Sequence, residues 1–133
     1  MLIADANIVV AALLGSADSH GGTVELLVRD IEARGERLIV TEGVLVETAW
    51  VLRARVGMTP REIAAALMAL LDSAAFDSWD PELTTAALCI MAGEPRLDIV
   101  DALLAARDSV GTCRVVTLDR VLARAVARQH GRP

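Results

Sequence analysis

The sequence predicts an α/β fold built on a mainly parallel sheet, and two observations predict it. Short apolar runs of strand character alternate with longer runs of helical period along the whole chain. The 133 residues, 54% of them hydrophobic, suit one compact domain (1–133) with a substantial core and are too few for two.

The elements follow in order. Leu2 to Ala4 reads as a short buried strand, followed by a helix from about Ile8 that stops near Gly15. A polar loop, Gly15 to Gly22, leads to a second helix from Thr23 to about Ala33, ended by Gly35. Arg37 to Val40 forms the next strand and Val44 to Arg55 an apolar helix that Gly57 breaks. Thr59 then caps a helix with Pro60 at its first position, and that helix runs through Leu71. A short strand around Ala75 to Ser78, a helix from Pro81 to about Met91 and a loop at Gly93 to Pro95 come next. Ile99 to about Arg107 is helical, Arg114 to Thr117 reads as a strand, and Arg120 to Gln129 is the last helix. There is no internal repeat and no low-complexity tract.

Composition removes several chemistries. All 13 basic residues are Arg, so the lysine-dependent sites of Walker A loops, Schiff-base enzymes, receiver domains and haloacid-dehalogenase folds are excluded. The two histidines, His20 and His130, are too far apart for a histidine-rich metal site, so any metal must be held by oxygen, which selects Mg²⁺ or Mn²⁺ over Zn²⁺. With no Tyr, one Phe and two Trp, the chain offers no aromatic platform for stacking bases. Cys89 and Cys113 lack zinc spacing or a disulfide framework and are expected as buried, reduced thiols. Apolar runs such as Ile8 to Leu14 and Ala64 to Leu71 stop well short of a bilayer span, and no charged start precedes a secretory core; a soluble, cytoplasmic protein is expected.

Ligands in a doubly wound sheet collect beyond the C-terminal ends of the strands. Asp5 and Asp119 each follow a predicted strand, and each is equally suited to cap the next helix. Glu47 is the single ionisable group of Gly43 to Leu52, a helix apolar on nearly every side and expected to be buried. A lone buried carboxylate costs several kcal/mol unless it binds metal or is paired, here with Arg53 or Arg55. Asp98 and Asp101 stand one turn apart at a helix start, Asp98 as the cap and Asp101 either as its capping partner or as a ligand. Glu25, Asp30, Glu32, Glu36 and Glu62 read as solvated faces, and Met58, Met68 and Met91 as core filling.

In these segments the sequence resembles the PIN-domain family, and within it the VapC-type toxins. The resemblance lies in Ile-Ala-Asp5-Ala-Asn7, Val-Glu47-Thr-Ala-Trp-Val-Leu, Asp98-Ile-Val-Asp101-Ala-Leu-Leu-Ala-Ala and Val-Val-Thr117-Leu-Asp119, in that order over nearly the whole chain. Asp5, Glu47, Asp101 and Asp119 match the family's four acidic positions, and Asn7 and Thr117 match its polar supporting positions; Asp98 is read as mainly structural, a cap behind the site. Ala6 departs from the Thr common in relatives, and Arg120 to Pro133 leaves little room for a last edge strand.

The resemblance implies a Rossmann-like three-layer fold with four to five short strands flanked by helices. It implies an endoribonuclease whose four acids hold Mg²⁺ or Mn²⁺, leaving a 5′-phosphate and a 3′-hydroxyl. It also implies a toxin paired with a small VapB-type antitoxin, a homodimer, and DNA contact only through the antitoxin. With net charge −5, RNA binding must rely on local Arg clusters, of which Arg120, Arg124 and Arg128 form a stripe that reads equally well as a solvated face. Two other readings stand beside this one: a PIN-like nuclease acting in RNA processing or on DNA flaps, and a non-catalytic α/β interaction domain whose acids are only caps.

Overall fold

The computed structural model describes residues 1–111 and 113–131. Leu2–Ile3 (β1), Leu38–Val40 (β2) and Phe76–Ser78 (β3) form a parallel sheet in the order β1-β2-β3. Leu2 stands beside Leu38, and Leu38 beside Phe76. The amide of Ala4 extends the first ladder by donating to the Ile39 carbonyl at 3.0 Å. All three residues of the central strand are buried, as expected where helices cover both faces of a parallel sheet.

Helices Ala6–Leu14 (α1) and Gly21–Ala33 (α2) make the first crossover, with a 3₁₀ turn, Gly15–Ala17, between them. Glu42–Val51 (α3) and Pro60–Leu71 (α4) make the second. Helix α3 continues as a widened π-type turn, Leu52–Val56, and stops at Gly57, whose φ of 77° is the left-handed value that glycine adopts without strain. Pro81–Gly93 (α5), Ile99–Val110 (α6) and Arg120–His130 (α7) complete the chain. Helix α5 packs on α4, β3 and α6, helix α6 packs also on α7 and α3, and α1 packs on α3. Phe76, Leu45, Leu52, Ile63, Leu67, Leu88 and Leu97 are among the core's fully buried side chains.

The α/β architecture is the one the sequence predicts, and the element boundaries agree closely. Three strands pair among the described residues; Arg114 to Thr117 joins no ladder there, with Val116 97% exposed and Leu118 after it 102% exposed. The β-branched run Val115 to Thr117 favours an extended chain, but a strand also needs a neighbour of free N–H and C=O groups, which local sequence does not reveal. Cys89 and Cys113 are exposed rather than buried. No helix of the described residues is long and apolar enough to cross a membrane.

Candidate active site

Each predicted acid except Glu47 and Asp101 caps a helix. Asp5 is the N-cap of α1, accepting the Ile8 amide at 3.1 Å through Oδ1. Asp98 caps α6 by accepting the Asp101 amide at 2.9 Å. Asp119 caps α7, its Oδ1 accepting the amides of Val121 at 2.8 Å and Leu122 at 3.1 Å. Every one of these caps uses Oδ1, which leaves Oδ2 for another ligand. The capping and functional readings of these residues are therefore compatible, one oxygen for each.

Asp101 is half-buried in the first turn of α6. Burial raises its carboxyl above the ordinary carboxylate range, and the negative charges of Asp98 and Asp119 raise it further. Asp98, Asp101 and Asp119 thus lie within electrostatic reach, although α6 and α7 are separated in sequence by an extended segment. Thr117 prepares this corner: its hydroxyl accepts the Asp119 amide at 3.0 Å, fixing the turn from which the carboxylate projects. Asn7, in the first turn of α1, is exposed two residues beyond Asp5.

Glu47 overturns the argument that singled it out, because it is exposed. Helix α3 buries Leu45, Thr48 and Ala49 and turns Glu47 and Trp50 outward, so the carboxylate bears no burial penalty. No ion pair joins it to Arg53 or Arg55 among the described residues. Its place along the helix is informative. Helices α3 and α6 run antiparallel, with Glu42 of the first turn of α3 paired to Arg107 in the last turn of α6, and Trp50 and Arg53 lining a cavity with Asp98, Ile99 and Val100. Glu47 lies along α3 between these two ends.

Asp98 and Asp119 thus act electrostatically on Asp101, while Asp5 stands at the start of α1 and Glu47 on the exposed side of α3. Among the described residues no three carboxylates, histidines or cysteines are disposed to hold a common metal ion. The donor chemistry fits a hard divalent cation all the same: oxygen alone, with an excess of negative charge around Asp101.

A PIN-domain family model matches residues 2–128. The chain belongs to the PIN-domain family. PIN domains are in general nucleases, hydrolases that usually employ divalent metals. No curated protein and no solved structure matches the chain.

Two contributors in this PIN domain escape the sequence reading. Asp108, in α6, is 2% exposed and accepts the Val115 amide at 2.7 Å, tying down the segment that delivers Thr117 and Asp119. An acid in the last turn of a helix opposes the helix dipole, and that misplacement is the signal that betrays a partner. Arg96 is the other: it lines a cleft with Arg124 and Arg128. Glu62, read as merely solvated, closes a capping box with Thr59, and the hydrogen bond from the Thr59 backbone holds its carboxyl below the usual range.

Proposed function

We propose that this PIN domain is a metal-dependent endoribonuclease acting as the toxin of a type II toxin–antitoxin pair. The observation that carries the reading is that Asp5, Asp98 and Asp119 each cap a helix through one carboxylate oxygen and leave the other free, with Asp101 beside Asp98 in the first turn of α6. Family membership supports the nuclease part; the order of the four acidic motifs supports the toxin part.

Asp5, Glu47, Asp101 and Asp119 are the metal-holding residues in this reading, with Mg²⁺ or Mn²⁺ as the ion. When bound, the ion supplies a water of lowered pKa and a positive charge for the scissile phosphate. Thr117 fixes the Asp119 turn and Asp98 caps α6 ahead of Asp101, while Asn7 takes a supporting role that rests on the resemblance alone. The amino termini of α1, α6 and α7 carry the positive ends of their dipoles, which favours carboxylates and phosphate oxygens there. A small VapB-type antitoxin covering the acidic corner, a homodimer, and contact with DNA only through the antitoxin complete the proposal.

The test is RNA cleavage by the purified protein. Cleavage with Mg²⁺ or Mn²⁺, silence in excess chelator, and loss in Asp5→Ala are expected; full activity in chelator defeats the metal mechanism. Expression without a partner is expected to arrest growth and Asp5→Ala to be tolerated, so equal tolerance of both, with cleavage retained in vitro, removes the toxin role and leaves the nuclease.

A further inference from the structure

A cleft of about 230 Å³ opens between α7 and the turn joining α5 to α6, lined by Glu94, Pro95, Arg96, Val121, Arg124 and Arg128. Both of its walls are continuous in sequence with the acidic residues. Arg96 stands two residues before Asp98, and Val121 two residues after Asp119. Its charge runs against that of the chain, which is −5 overall.

The three guanidinium groups are not equally engaged. Arg128 Nε donates to Glu94 Oε1 at 2.6 Å, and the Glu94 side chain is 18% exposed. Arg96 and Arg124 are exposed and make no ion pair among the described residues. A guanidinium has five N–H donors, so Arg128 keeps donors to spare. No aromatic side chain lines the cleft, which leaves charge and hydrogen bonding, not base stacking, as its means of recognition.

We propose that this cleft is a phosphate track, in which Arg96, Arg124 and Arg128 take backbone phosphates of the single-stranded RNA that leads away from the acidic corner. The inference rests on the ribonuclease reading and extends it to how the strand is held. Helix rise sets Arg124 roughly 7.5 Å and Arg128 roughly 13.5 Å along α7 from Asp119. Such contacts position the strand without reading its bases.

The experiment measures binding rather than turnover. Fluorescence anisotropy of a labelled single-stranded RNA 12-mer is followed over a salt series with Mg²⁺ in the Asp5→Asn background, in which Asn still caps α1. Adding Arg96→Gln and Arg124→Gln is expected to weaken binding about tenfold or more. It is also expected to flatten the plot of log affinity against log salt by about 1.4, two phosphates at about 0.7 each. Glu94→Gln, which removes a negative charge from the cleft, is expected to tighten binding severalfold. Arg29→Gln with Arg34→Gln, an equal change of charge on α2 and its C-cap, is expected to leave affinity and slope in place. If the cleft pair behaves like the α2 pair while the parent protein cuts RNA, the track is refuted and the nuclease stands. If the parent protein neither cuts nor binds RNA, the nuclease reading fails and the track falls with it. Capture of a poly-glutamate peptide in preference to RNA, lost in the cleft variant, would also overturn the proposal and assign the cleft to a protein partner.

Discussion

His130, in the last turn of α7, bonds the buried carboxylate of Asp108 on α6. The same carboxylate accepts the Val115 amide at 2.7 Å and lies 3.6 Å from the Arg114 guanidinium. One side chain thus ties α6 both to the extended segment that delivers Asp119 and to the end of the helix that Asp119 begins.

The first prediction concerns stability in acid. The Val115 amide, and next the bond to His130, hold the Asp108 carboxyl below the usual carboxylate range. A lowered folded-state pKa contributes stability that is present above the ordinary value near 3.9 and is lost as pH falls through the folded value. Asp108→Ala is expected to cost about 2 kcal/mol or more at pH 7, because it removes a buried carboxylate that bonds the Val115 amide and His130. Asp108→Asn is expected to cost less and to close on the wild type as pH drops below about 4. Urea titrations of the three proteins at pH 7 and pH 3.5 check this, and an Asn deficit of the same size at both values removes the charge from the account.

Asp101 carries the opposite sign. Its folded-state pKa is raised, by burial first and then by Asp98 and Asp119, so its contribution to stability is full in acid and lost as pH climbs through the raised value. Asp101→Asn keeps the shape and removes the charge. Its melting temperature without metal is expected to exceed that of the wild type at pH 8 and to match it near pH 4. A gain of equal size at both pH values would trace the effect to packing instead.

Much of this was legible locally. Thr59 with Pro60 and Glu62, Asp98 before Ile99, and Gly57 after α3 mark helix ends by chemistry that acts within one turn, and the structure places them there. Two misreadings arose where long-range partners decide. Trp50, 62% exposed, lent α3 the look of a buried helix and so lent Glu47 a burial it does not have. Val115 and Val116 looked like a strand, yet Val115 donates to the Asp108 side chain. The approach of Asp119 to Asp101 depends on the packing of α7 on α6, which no local pattern encodes.

Two adjacent glycines provide a contrast in packing. A methyl group on Gly21 would overlap the Gly15 carbonyl oxygen, whereas one on Gly22 meets nothing within 4 Å. Gly21→Ala is expected to cost about 2 kcal/mol or more, since backbone atoms and not a flexible side chain must move. Gly22→Ala, in the first turn of α2, is expected to be neutral or to stabilise by up to about 1 kcal/mol. Thermal melts of the pair check the close approach of α2 to the Gly15 turn; equal effects from both substitutions would deny it.

The last prediction joins the acids to the ion. Negative charge from Asp98 and Asp119 acts on Asp101, so a divalent cation held there removes a repulsion as well as gaining ligands. At about 100 times its dissociation constant, Mn²⁺ or Mg²⁺ is expected to stabilise the fold by roughly 2.7 kcal/mol, an upshift of several degrees in melting temperature. Asp119→Asn still caps α7, because Asn caps about as well as Asp, and is expected to lose that upshift while its metal-free melting temperature holds or rises. Glu47→Gln is the sharper case, since Glu47 is exposed and its membership of the site rests on its place along α3 and on family resemblance. Loss of the upshift in Glu47→Gln joins α3 to the site; retention there with loss in Asp119→Asn confines the site to α6, α7 and Asp5. Glu25→Gln, which removes an acid paired to Arg29 on α2, is expected to keep the full shift. Melts at pH 8 in chelator and in Mn²⁺ measure all four proteins, and a wild type that does not move with metal excludes the four-carboxylate site.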